Sequence, residues 1–215
     1  MKLYTFHRSS ASFRVRIALN LKGLPYESLP VHLSRNGGEQ NLPAFKSVNP
    51  QGLVPVLIDD EGHSMNQSLA ILEYLEETCP QAALLPSNPV DRARVRSLAL
   101  MIACEIHPLN NLRVLHYVTG ELGVTEEQKN TWYKHWVELG LTQLEQRLSQ
   151  EPQTGRFCHG DTPTFADCCL VPQIFNAKRF ECDLSNVPTV MRIFDHCMEH
   201  EAFIAARPER QIDAS

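Results

Sequence analysis

The residues Phe6-His7-Arg8-Ser9-Ser10-Ala11-Ser12-Phe13-Arg14-Val15-Arg16-Ile17-Ala18-Leu19-Asn20-Leu21-Lys22-Gly23 decide the fold. The apolar run Leu3 to Phe6 reads as a short strand leading into this stretch. Phe13, Ile17 and Leu21 then recur at helical spacing up to Gly23, a residue suited to the left-handed conformation that closes a helix. Between strand and helix lies a turn of hydroxyls, Ser9, Ser10 and Ser12, and Tyr26 to Leu33 reads as a second strand. Strand, helix and strand at this spacing imply two parallel strands joined by a right-handed crossover.

Further along, the turn-forming Arg35 to Gly38 and Pro50-Gln51-Gly52 precede an apolar strand, Val54-Pro55-Val56-Leu57-Ile58. The turn Asp59 to Gly62 and the run His63 to Met65 complete a hairpin. Pro55 lies inside the strand signal, where proline is tolerated at an edge, a bulge or a cis bend; a cis bend would leave the Val54 backbone free. From Ser68, residues Leu69, Ile71, Leu72 and Leu75 mark an amphipathic helix ending near Cys79-Pro80, and Leu84 to Pro89 reads as a linker.

Everything after Asp91 is helical in character. Leu98, Met101, Ile102, Leu112 and Leu115 mark one long helical region, and Trp132, Trp136, Leu139, Leu141, Leu144 and Leu148 mark another. Thr164 followed by Asp167 is a capping signal ahead of Leu170, Val171 and Ile174. The expected fold class is α/β plus all-α: an α/β domain over residues 1–82, a linker over 83–90 and a helical domain over 91–215.

A chain of 215 residues with 43% hydrophobic content suits two domains. The formal charge of −5, with no basic run, disfavours nucleic acid. The first twenty residues carry Arg8, Arg14 and Arg16 and no apolar h-region, so no secretory signal is expected there; no stretch reaches the length of a membrane span, and a cytoplasmic location is expected. Seven irregularly spaced cysteines suit reduced thiols better than a disulfide framework. His196-Cys197-Met198-Glu199-His200 matches an H-x-x-E-H zinc pattern, yet no third ligand is well placed downstream, and no metal is expected.

A thioredoxin-type fold begins with the same strand, turn and helix, and its redox members carry Cys-x-x-Cys at the turn. Here those four positions are Ser9, Ser10, Ala11 and Ser12, so the turn has no sulfur of its own and suits a thiolate brought by a small molecule such as glutathione. A free thiol ionises near pH ~8.5. A helix N-terminus favours the anion by about 0.3–1 kcal/mol, and a hydroxyl hydrogen bond to it by about 1.5–3 kcal/mol, so the hydroxyl is the larger contribution. The alternative is that these serines only cap the helix.

The stretch from Ser9 to Leu19 resembles the signature of zeta-class glutathione transferases, the family of maleylacetoacetate isomerases. So do Val54-Pro55, Asn66 to Ile71, Asp167 to Gln173 and Arg179-Phe180, in the family's order over nearly the whole chain. Cys104 to Asn111 is similar to glutathione-dependent maleylpyruvate isomerases. The resemblance implies a thioredoxin-like N-terminal domain followed by a C-terminal helical bundle, the glutathione transferase architecture, and a homodimer. One departure is Ala11, where the family signature usually has cysteine, which places thiol-transfer side activity in question.

The resemblance also implies site roles. Gln67 and Ser68 would hold the γ-glutamyl carboxylate at a helix N-terminus, Val54 beside Pro55 would pair its main chain with the tripeptide, and Gln40 and Asn110 would add contacts. Arg8, Arg113 and Arg179 match substrate-carboxylate contacts, a role suited to guanidinium forks, and His107 is a cleft or proton-handling candidate. Arg14 and Arg16 are assigned to structural pairing. The implied reaction is glutathione-dependent cis–trans isomerisation of a conjugated dicarboxylate, most directly maleylacetoacetate to fumarylacetoacetate. Thiolate adds to the enone, the resulting single bond rotates, and elimination returns the thiol. The alternatives are maleylpyruvate isomerisation, conjugation of electrophiles, or a non-catalytic interaction protein of the same fold.

Overall fold

A computed structural model describes residues 1–214. The chain divides into two compact units, Met1–Leu84 with the segment from Met198 onward, and Leu85–Cys197. In the first unit, β1 (Lys2–Thr5), α1 (Ser10–Leu21) and β2 (Glu27–Pro30) form the expected crossover, with β1 and β2 parallel. After a four-residue helix α2 (Pro43–Lys46), β3 (Val56–Ile58) and β4 (Ser64–Asn66) add the antiparallel hairpin, giving the order β2-β1-β3-β4. Helix α3 (Ser68–Thr78) follows directly.

Alternation along β1 and β3 sends Phe6, Val54 and Val56 into one cluster with Val31 and Phe45. On α1 every residue from Ser12 to Leu19 is buried, including both arginines. The Asp59 carboxylate closes the β3–β4 turn by accepting the Glu61 and His63 N–H groups and the Tyr74 hydroxyl. The Lys22 ammonium ends α1 on the buried Glu76 carboxylate and the Cys79 carbonyl, both at 2.9 Å.

The segment from Met198, expected with the helical domain, clusters instead with the first unit. Its short helix α9 (Glu201–Ala205) packs on α1, whose polar side chains take its carbonyls: Asn20 donates to the Ala202 oxygen at 3.0 Å and Arg16 to the Ala206 oxygen at 3.1 Å. The two histidines of the zinc-like motif fall on different elements, and His200 accepts the Ala202 N–H as a helix cap. Among the described residues, no group of three or more His, Cys, Asp or Glu is arranged to hold a metal.

The second unit contains α4 (Pro89–Leu100), α5 (Leu112–Gly120), α6 (Glu126–Gln150), α7 (Phe165–Arg179) and α8 (Pro188–Cys197). The single helical region expected from Leu98 to Leu115 is broken. After α4 the chain widens into a π turn at Met101–Ile106, tightens into a 3-10 turn at His107–Asn110, and restarts at α5. Pro108 lacks the N–H that a continuous helix needs. Opposite the break, Gly140 of α6 lies so close to Ile106 that an added Cβ would meet its side chain at 2.4 Å.

At the start of α7, the Asp167 carboxylate accepts the Thr164 N–H at 2.8 Å, the Thr164 hydroxyl at 2.7 Å and the Cys158 N–H at 2.8 Å. It is fully buried, and that burial raises its pKa against the pull of these donors. Replacing Asp167 by Ala would orphan three buried donors, so we expect a loss of about 3 kcal/mol. In a chain of this size that is a fall of roughly 6–12 °C in thermal midpoint, read by circular dichroism.

Candidate active site

Ser9 is the N-cap of α1, and its hydroxyl oxygen accepts the Ser12 N–H at 3.2 Å. The capping and functional readings of this serine are compatible, because a hydroxyl accepting from the helix still has its own hydrogen to donate. Ser9 is half-buried whereas Ser10 is buried, so Ser9 is the more accessible donor. The Ser9 N–H donates to the Phe6 carbonyl at 3.0 Å, fixing the turn on the end of β1. Arg8 is exposed beside it.

The start of α3 has an unusual cap. Gln67 occupies the N-cap with φ 68° and ψ 111°, and its side chain does not cap the helix but donates to the Gln51 amide oxygen at 3.1 Å. A non-glycine residue at such angles costs about 1–3 kcal/mol and tends to persist where a binding site needs it. The N-cap side chain thus does not close the first turn of α3, whose N-terminus carries the positive end of the helix dipole.

Arg14, read from sequence as structural, is buried and donates through Nη1 to the Ser68 hydroxyl oxygen at 3.2 Å, while its Nε and Nη2 have no partner. With its oxygen occupied by the guanidinium, the Ser68 hydroxyl has its hydrogen available as a donor. The sequence signal was two arginines in a largely apolar helix with no carboxylate at helical spacing. Arg16 is structural, and its guanidinium donates to the carbonyls of Phe6, His7 and Ala206 and to the Thr5 hydroxyl.

Val54-Pro55 is a cis peptide, and Val54 precedes Val56, the first β3 residue paired in the sheet. Gln40 donates to the Leu33 carbonyl at 3.4 Å and keeps a buried amide oxygen without a partner. In the second unit Asn110 has both amide atoms buried and unpartnered at the end of the 3-10 turn, whose first residue is His107. Arg113 is exposed in the first turn of α5. Arg179, exposed at the end of α7, lies 4.9 Å from the Phe180 ring, which stacks on Tyr133. Burial pushes the Tyr133 hydroxyl well above its ordinary pKa.

A thioredoxin-like unit with hydroxyls in place of the redox cysteines defines a protein that binds a thiol rather than supplying one. Residues 3–83 match the family model described as glutathione S-transferase, N-terminal domain. The chain is 51% identical over 212 residues to a probable maleylacetoacetate isomerase of Vibrio cholerae, covering 99% of this chain and 97% of that protein. It superposes at TM-score 0.96 with 47% identity on a holo maleyl pyruvate isomerase, described as a bacterial zeta-class glutathione S-transferase, covering both chains fully. A maleylacetoacetate isomerase from Methylobacterium extorquens AM1 with bound malonate and glutathione also matches at TM-score 0.96, with 44% identity over the whole of both chains. The chain belongs to the zeta class of glutathione transferases.

The strained Gln67 gives this site a measurable signature. Gln67→Gly relieves the positive φ and should stabilise the protein by about 1 kcal/mol in urea unfolding, while weakening glutathione uptake measured by calorimetry.

Proposed function

We propose that this chain is a glutathione-dependent cis–trans isomerase that converts maleylacetoacetate to fumarylacetoacetate in phenylalanine and tyrosine catabolism, acting as a cytoplasmic homodimer. The observation that carries the reading is the Ser9 hydroxyl, fixed as a helix cap through its oxygen at 3.2 Å from the Ser12 nitrogen and so able to donate to an anion. The names and bound glutathione of the matched isomerases support it.

The described residues fit glutathione. Ser9, with Ser10 behind it, would meet the sulfur; Gln67, Ser68 and the start of α3 would hold the γ-glutamyl carboxylate. The Val54 main chain beside Pro55 would pair with the peptide, and Gln40 and Asn110 would use their unpartnered amide atoms. Glutathione, when bound, supplies the thiolate nucleophile that adds to the conjugated double bond and leaves after rotation.

The protein's own groups do the rest. The Ser9 hydroxyl and the α1 terminus stabilise negative charge at the sulfur position, shifting the thiol toward its ionised form. Arg8, Arg113 and Arg179 grip the substrate carboxylates, so that the carbon framework turns between fixed ends. Their positive charge also opposes the negative charge that develops on the substrate carbonyl, and His107 handles protons there. Tyr133 and Phe180 buttress Arg179 through their rings. Ala11 leaves the turn without sulfur, which agrees with isomerisation rather than thiol transfer.

Loss of cis-enone absorbance with purified protein, followed with and without glutathione, tests the reading. Turnover of maleylacetoacetate that requires glutathione and leaves its concentration unchanged is expected; net consumption would indicate a conjugating transferase. Maleylpyruvate as a parallel substrate tests the alternative suggested by Cys104 to Asn111. Ser9→Ala should lower kcat by about 10- to 100-fold with a smaller change in glutathione affinity, and full retention of rate would remove the hydroxyl from the chemistry.

A further inference from the structure

The segment from Met198 onward supplies one carboxylate to the first unit, and it falls on the turn that carries Ser9. Asp213 is buried, and its Oδ2 atom accepts the His7 backbone N–H at 2.9 Å and lies 3.3 Å from the His7 ring Nδ1. From the other side, the buried Arg16 guanidinium donates to the Thr5 hydroxyl at 2.9 Å, the Phe6 carbonyl at 3.3 Å and the His7 carbonyl at 3.0 Å. The peptide from Thr5 to His7 is therefore clamped between a cation on α1 and an anion from the end segment. Ser9 hangs from the same clamp, because its N–H donates to the Phe6 carbonyl that Arg16 also holds.

We infer that Asp213 is a positioning residue for the Ser9 hydroxyl, acting through His7 and the backbone of the serine turn. The inference rests on the reading of Ser9 as the group that meets the glutathione sulfur. A carboxylate that merely anchored a chain end would have no need to take two donors from one residue two positions before the nucleophile-binding serine. The arrangement is also electrostatically matched. Asp213 favours the charged state of Arg16, which burial pulls down to about 10, still protonated at neutral pH. The other charged or titratable groups facing His7 are Arg8 and His32; burial lowers the His7 ring below its ordinary value, so it is neutral near pH 7 and donates one N–H to Asp213.

The test uses Asp213→Ala, Asp213→Asn and the conservative Asp213→Glu. Ultraviolet thiolate absorbance of bound glutathione is titrated with pH, and affinity for S-methylglutathione, which has no thiol to ionise, is measured by calorimetry. The apparent ionisation midpoint of bound glutathione should rise by about one pH unit in the Ala variant and less in Asn. S-methylglutathione affinity should stay within about twofold, and Glu should restore most of the shift. Unchanged midpoints in all three variants would overturn the inference alone, as would an equal collapse of both readouts in Asn and Glu, which marks a purely structural role. If Ala does not fold, the Asn and Glu pair carries the decision. A wild-type protein without a thiolate signal would instead overturn the Ser9 reading, and this inference with it.

Discussion

The buried guanidinium of Arg16 is the constraint on which the first unit is organised. It gives up hydration inside the protein, a cost of several kcal/mol for an isolated charge, and recovers it through four acceptors: the Thr5 hydroxyl and the carbonyls of Phe6, His7 and Ala206. Each such charge-assisted bond contributes about 1.5–3 kcal/mol, so the arrangement holds only when all are in place. Those acceptors come from the end of β1, the turn after it and the segment following α9. One side chain on α1 thus fixes where the sheet ends, where the helix begins and where residues distant in sequence return.

The site uses hydroxyls whose polarity is set by fixed donors. The Ser12 N–H occupies the Ser9 oxygen and the Arg14 guanidinium occupies that of Ser68, so each serine keeps its own hydrogen to donate. Both fixed donors belong to α1, and both serines stand at helix starts where the backbone dipole also favours an anion. Glutathione brings a thiolate and two carboxylates, and in the proposed reading the same device serves the sulfur and the γ-glutamyl carboxylate.

Much of this was legible in the sequence because local periodicity and turn chemistry speak directly about local structure. The crossover, the hairpin, the bend at Pro55 and the helix from Ser68 each carry their own signals. Their limits moved by one to three residues, as for β1, read as Leu3 to Phe6 and found at Lys2–Thr5, and for β2, read as Tyr26 to Leu33 and found at Glu27–Pro30. The break between α4 and α5 was hidden because apolar spacing runs on through Met101 and Ile102, and a π turn changes the winding without changing composition. Gly140, across the break, is far away in sequence. The serine turn at the start of α1 was legible from the missing cysteines. The role of Arg14 was not, since Ser68 lies 54 residues away, and neither was the return of Asp213 to His7, 206 residues apart.

That last separation bears on biogenesis. Chains leave the ribosome N-terminal end first, so the sheet and α1 emerge long before residues 198–213 exist to complete the Arg16 and Asp213 clamp. Until then the first unit lacks the acceptor at Ala206 and the anion at His7. Closure of the Arg16 and Asp213 clamp is therefore a late event in synthesis, reached only when residues 198–213 fold back onto the first strand and its turn.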